Sequence, residues 1–95
     1  MKKFESEQDY ERQLYNALRD LMSNYGDFSA YTNINDMPFR EIGLESMGLV
    51  GVFLELENEG WIDISRIDND NPPKTMSDVV RLGVEYFRMY THGNN

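Results

Sequence analysis

The most informative segment of the chain reads FREIGLESMGLV and spans residues 39–50. A glycine, a hydrophobic residue and an acid precede Ser46, and the apolar residues then recur at the three- and four-residue spacing of a helix. The segment predicts that a loop ends and a helix begins at Ser46. The start of a helix carries free backbone N–H groups and the positive end of the helix dipole, which stabilise negative charge.

Ser46 taken alone has two interpretations. Serine is a preferred N-cap residue, and its hydroxyl would then accept a hydrogen bond from the backbone of its own helix. Alternatively, an exposed hydroxyl at a helix start is a suitable attachment point for an anionic group. The surrounding sequence is needed to choose between them.

The apolar periodicity is helical along most of the chain. It predicts an all-α fold with helices at about residues 7–24, 46–59 and 75–90 and a short additional helix at about 66–70. Gly60 is placed to end the second helix, and Thr75 or Ser77 to cap the last one, with Asp78 in its first turn. The last four residues, from His92, are expected to fray. The apolar stripe of the first helix comprises Tyr10, Leu14, Ala17, Leu18, Leu21, Met22 and Tyr25.

The second helix is expected to bury a broad face. Two glycines inside it, Gly48 and Gly51, each cost about 1 kcal/mol relative to alanine, which is tolerated where another group approaches the backbone closely. The long loop before this helix contains several hydrophobic residues and is therefore expected to lie on the core. The residues expected on the buried face are Leu49, Val50, Phe53, Leu54 and Leu56.

Length and charge limit the classes of function. The 95 residues suffice for one domain, and the net charge of -8 argues against nucleic acid or an anionic membrane as a partner. Residues 36–70 hold nine acids against two arginines. This segment is either a solubilising surface or a docking site for an electropositive partner. With no cysteine in the chain, any thiol chemistry must come from a cofactor.

Other classes of site fit the sequence poorly. The longest apolar run, residues 49–54, is too short to span a bilayer, and the acidic N-terminal segment lacks a signal-peptide core, so a cytoplasmic location is expected. A catalytic serine needs a base, and the only histidine, His92, stands in the C-terminal tail, so a serine hydrolase is not expected. A calcium loop starting at Asp68 would place Pro73 where glycine is required and Val79 where glutamate is required.

The segment around Ser46 resembles the attachment motif of the acyl carrier protein family, which is usually Gly-hydrophobe-Asp-Ser-Leu. Residues 46–59 are similar to the acidic, amphipathic second helix of that family, and residues 75–80 (TMSDVV) to the start of its last helix. Ile62 and Ile64 stand where the family has apolar residues. The resemblance covers about residues 39–87 and implies an acyl-carrier-like four-helix bundle with three principal helices, one short helix and a long first loop.

The resemblance also implies a function. A phosphopantetheinyl transferase (a holo-carrier synthase) would attach 4′-phosphopantetheine to Ser46, and the arm would carry acyl or aminoacyl groups as thioesters. The other expected partners are acyl- or aminoacyl-activating ligases and the synthases and transferases of fatty acid, polyketide or nonribosomal peptide biosynthesis. The carrier would be a monomer and would supply no catalysis itself, so the resemblance implies that the protein is not an enzyme. The residues expected to contact these enzymes are Glu45, Met47, Glu55, Glu57 and Glu59.

Three positions depart from the family pattern. Glu45 replaces the usual Asp, the aromatic residue at Trp61 is displaced by one position, and Pro72-Pro73 fits a one-residue insertion. The Ser-Met-Gly start and the Leu-Glu-Leu-Glu-Asn end of the second helix are similar to the D-alanyl carrier branch. The alternative hypothesis is an acidic helical module that binds a protein partner and is never modified.

Overall fold

The computed structural model of the protein describes residues 4–44 and 46–92, without the side chain of His92. They form three α-helices, α1 (Glu7–Met22), α2 (Ser46–Asn58) and α3 (Met76–His92), and two short 3-10 turns, Ile34–Asp36 and Ile64–Arg66. The described ranges contain no strand, so the all-α prediction is confirmed. They hold three α-helices where the family resemblance implied four, and α3 extends through His92, which was expected to fray.

The first helix begins where Ser6 caps it. The Ser6 hydroxyl accepts a hydrogen bond from the Asp9 backbone N–H at 3.1 Å, and two acids lie in the first turn. The helix ends at Met22, two residues before the predicted end. Its buried side chains recur every four residues along one side: Tyr10, Leu14, Leu18 and Met22.

The third helix packs against α1 over the most extensive helix contact in the fold. Thr75 caps it by accepting from the Asp78 backbone N–H at 3.0 Å. The helices approach so closely that a Cβ atom on Gly83 would lie 2.3 Å from Cδ2 of Leu14. The buried side chains of α3 at this contact are Met76, Val79, Val80 and Val84.

The end of α2 follows the predicted stop. Gly60 has a φ of 86°, its N–H donates to the Glu57 carbonyl at 3.0 Å, and the Trp61 N–H donates to the Leu56 carbonyl at 2.9 Å. This is the Schellman arrangement, in which a glycine takes the left-handed conformation that side chains disfavour. Trp61 and Leu56 are both buried, and the Trp61 carbonyl accepts from the buried Tyr10 hydroxyl.

The prediction of a short helix at residues 66–70 is wrong. The chain forms a 3-10 turn at Ile64–Arg66, where Asp63 accepts from the Ser65 N–H at 3.0 Å. Asp68 then accepts from the Asp70 N–H at 2.9 Å in a turn of its own. Such local side-chain bonds compete with helix formation, and Pro72 disfavours helical backbone in the residue before it.

The long loop between α1 and α2 lies on the core, as predicted. Phe39, Ile42 and Leu44 are buried, and four other hydrophobic residues pack partly against the core. Ser77 fastens the loop to α3 by donating to the Asn35 carbonyl at 2.9 Å. None of the helices in the described part of the chain has the length and hydropathy needed to cross a membrane.

Candidate functional site

The chain forms a single helical turn at residues 38–44, shortly before Ser46. The Pro38 carbonyl accepts from the Ile42 N–H at 3.3 Å, and the Phe39 carbonyl accepts from the Leu44 N–H at 3.0 Å. Gly43 closes the turn with a φ of 83°. Because Phe39, Ile42 and Leu44 are all buried, this turn is anchored on both sides of the glycine. The start of α2 therefore has a fixed position on the core.

Ser46 is the first residue of α2, and its side chain is exposed. Its hydroxyl has no hydrogen-bond partner among residues 4–44 and 46–92. The capping interpretation therefore has no hydrogen bond to support it. The preceding residue, Glu45, lies outside the described residues.

A groove of about 780 Å³ lies beside Ser46 and is called here the Ser46 groove. The turn before α2 forms one wall, the first turn of α2 forms another, and the residues before α3 form the third. The Phe39 N–H donates to the Lys74 carbonyl at 2.8 Å and so ties two walls together. The lining residues are Pro38, Phe39, Arg40, Gly43, Leu44, Ser46, Met47, Leu49, Pro73 and Lys74.

Two of the lining side chains, Arg40 and Lys74, are cationic and exposed. Within the described ranges neither forms an ion pair or a side-chain hydrogen bond. The main chain at Lys74 is held in place because its N–H donates to the Asp78 carboxylate at 2.9 Å. This hydrogen bond is the largest of several that hold the pKa of Asp78 below its ordinary value. The groove thus combines apolar walls with two positive charges that no described residue neutralises.

The outer surface of α2 differs from the expected one. Met47, Val50 and Leu54 are 88%, 55% and 51% exposed, and their spacing places them on one side of the helix. The expectation that Val50 and Leu54 are buried is therefore wrong. The helix turns by about 100° per residue, which directs them away from the buried Val52 and Leu56. These three residues are called the outer face of α2.

The sequence carried a signal for this face that its interpretation missed. Every residue from 47 to 54 is either hydrophobic or glycine, so this part of the helix has no polar side. A helix that is apolar all round is either enclosed or has an exposed apolar side. In this fold α1 packs against α2, where Val52 and Leu56 are buried, and leaves the outer face exposed.

The three acids that were predicted along α2 have different surroundings. Glu57 accepts from the Ile64 N–H at 3.0 Å, and Glu59 accepts from the Trp61 indole N–H at 3.2 Å. Glu55 is exposed and has no partner in the described part of the chain. Glu57 and Glu59 therefore support the segment after α2, while Glu55 is exposed beside the outer face to which Met47 belongs.

The structure does not bring Ser46 and His92 together. Ser46 borders the groove at the Lys74 end of α3, whereas His92 is the last residue of α3, about 24 Å further along the helix axis. Among the residues that the structure describes, no group of three or more metal-ligating side chains is present.

Comparisons of the chain with protein-family models, curated proteins and solved structures found no match.

Proposed function

We propose that the protein is a carrier that holds acyl or aminoacyl groups on a 4′-phosphopantetheine arm attached to Ser46. The observation that supports this function best is the Ser46 hydroxyl, which is exposed and unpartnered within the described residues at the start of a firmly anchored helix. The buried turn ending at Gly43 fixes the position of this hydroxyl, and its exposure leaves room for an enzyme to reach it. The protein itself supplies no catalysis in this proposal.

The attachment step needs only the Ser46 hydroxyl from this chain. Its Oγ attacks the coenzyme A phosphorus that bears pantetheine, and an O–P bond forms as the bond to adenosine 3′,5′-bisphosphate breaks. The hydroxyl proton passes to a base on the transferase. The product is a phosphodiester with one negative charge, which the free N–H groups at the start of α2 favour. When attached, the arm supplies the thiol that the chain lacks.

The outer face of α2 and Glu55 supply the proposed docking surface for the partner enzymes. Met47 is next to the attachment residue and almost fully exposed, so an apolar pocket on a partner can enclose it. Glu55 offers a negative charge that no described residue neutralises. Charge complementarity of this kind speeds encounter more than it slows dissociation, which suits a carrier that must leave each enzyme. The enzymes concerned are the transferase, an activating ligase and the synthases of a cytoplasmic biosynthetic pathway.

The exposed outer face also favours a second function. An acidic helical module that binds a protein partner through Met47, Val50 and Leu54 would have the same face and would never be modified. The two functions differ only in the fate of Ser46.

Intact-mass measurement distinguishes them. We expect the purified chain, incubated with coenzyme A and a broad-specificity phosphopantetheinyl transferase, to gain the mass of one phosphopantetheinyl group. Ser46→Ala should abolish the gain, whereas Ser23→Ala, which removes another exposed hydroxyl, should keep it. No gain in the wild-type chain, or a gain that survives Ser46→Ala, would overturn the carrier function.

A further inference from the structure

The Ser46 groove has a charge opposite to that of its surroundings. Residues 36–70 contain nine acids and only two cations, and one of those cations, Arg40, lines the groove together with Lys74. Neither side chain pairs with a carboxylate in the described ranges. Three arginines elsewhere do form ion pairs: Arg12, Arg81 and Arg88. No described residue therefore competes with an external anion for the two groove cations.

The Ser46 groove is also large and apolar enough to hold an organic group. Its volume of about 780 Å³ falls within the usual range for sites that hold small organic ligands. Phe39 and Leu44 give it apolar walls that are held in the core. A group attached to Ser46 would begin at the edge of this groove, with its phosphodiester near the cations and its apolar portion near the walls.

We propose that Arg40 and Lys74 hold the phosphodiester on Ser46 and so keep the phosphopantetheine arm in the Ser46 groove between visits to partner enzymes. This inference rests on the proposed carrier function. Arg40 and Lys74 are positioning residues in it, since they act on the resting location of the arm. Both side chains are exposed, so the attraction weakens as salt screens it and the arm can be released to a partner.

The experiment compares the loaded wild-type chain with a loaded Arg40→Gln/Lys74→Gln variant. Intact mass first shows that each chain carries one arm. NMR then measures the nuclear Overhauser effect (NOE) between the geminal methyl protons of the arm and the ring protons of Phe39. In the double variant at low salt we expect this intensity to fall by up to about fivefold, because losing two exposed ion pairs lowers the ratio of held to free arm about fivefold, or about 1 kcal/mol.

The matched control is Arg12→Gln/Arg88→Gln, which makes the same change in net charge at two exposed arginines outside the groove and should keep the NOE. The amide spectrum of residues outside the groove shows whether each variant is folded. Absence of the NOE in the loaded wild-type chain, or its retention in the groove variant, would overturn the inference while leaving the carrier function intact. Failure of the arm to attach would instead overturn the carrier function, and this inference with it.

Discussion

The contact between α1 and α3 and the outer face of α2 are both apolar, but only the first is enclosed. Leu14 is fully buried at the α1–α3 contact, while Leu54 on the outer face is 51% exposed. The apolar residues of α1 and α3 are explained by burial on folding, which is the main favourable term in stability. Burial explains only the inner side of α2. The residues on its outer side are therefore expected to matter for association more than for stability.

The largest expected effect comes from making the same substitution in both regions. Leu14→Ala should lower the free energy of unfolding by about 3–5 kcal/mol, because it leaves a cavity that its neighbours cannot fill. Leu54→Ala should lower it by less than about 1 kcal/mol, because the side chain is half in water already. Urea denaturation followed by circular dichroism measures both values. Equal losses would show that the outer face contributes to the fold and would remove the contrast.

Two glycines sharpen the comparison. A Cβ on Gly83 would lie 2.3 Å from the enclosed Leu14, and a Cβ on Gly51 would lie 2.2 Å from the hydroxyl of Tyr25, which is 47% exposed. Leu14 cannot move aside, so Gly83→Ala should cost about 1–3 kcal/mol through overpacking. Tyr25 can turn outward, so Gly51→Ala should be nearly neutral.

The contact between Gly51 and Tyr25 can be tested more strictly in a variant that lacks the Tyr25 ring. Once Tyr25→Ala has removed the obstructing ring, Gly51→Ala should stabilise the protein by about 1 kcal/mol through helix propensity alone. Thermal and urea unfolding of the two single variants and the double variant measure this coupling. Additive effects of Tyr25→Ala and Gly51→Ala would contradict the contact between the ring and the helix.

The starts of α2 and α3 also differ, because within the described ranges only the start of α3 is held by hydrogen bonds to side chains. Thr75 and Asp78 cap α3 through hydrogen bonds between side chains and backbone, whereas the Ser46 hydroxyl makes none with any described residue. Thr75→Ala should therefore cost about 1 kcal/mol, and Ser46→Ala less than about 0.5 kcal/mol, in the free energy of unfolding near pH 7. A loss for Ser46→Ala as large as that for Thr75→Ala would restore the capping interpretation.

Asp78 adds a pH dependence to the capping of α3. Its pKa is lowered in the folded protein, first by the hydrogen bond from the Lys74 N–H. The carboxylate therefore stabilises the fold above its unfolded pKa of about 3.9, and the effect is lost as pH falls through the folded value. The stability difference between wild type and Asp78→Asn should shrink in acid. A difference that stays constant between pH 7 and pH 2 would show that the charge is not responsible.

The sequence predicted those features of the structure that depend only on residues close together in the chain. The helix stop at Gly60 and the cap at Thr75 were predictable, because each depends on a few neighbouring residues. The short helix at 66–70 was not, because the side-chain bonds of Asp63 and Asp68 replaced it. The sequence motif singled out Ser46 and Met47, which are both exposed at the start of α2, and their role stays a prediction. The Ser46 groove could not be predicted from the motif, because Arg40 and Lys74 are 34 positions apart in the sequence and only folding places them in one groove.

The smallest expected effect concerns charge on the proposed docking surface. Glu55 is exposed and unpartnered within the described residues, so Glu55→Lys should slow modification by the transferase about twofold to threefold at low salt, with little effect at high salt. Glu11→Lys reverses another exposed acid on α1, without a described partner either, and should leave the rate nearly unchanged. Initial rates from intact mass measure both.

Glu55 is a cleaner probe than Glu57. Because Glu57 accepts from the Ile64 N–H, reversing its charge would change the stability of the fold as well as the rate of docking. Equal slowing by Glu55→Lys and Glu11→Lys would indicate that total charge, and not the surface of α2, governs the encounter.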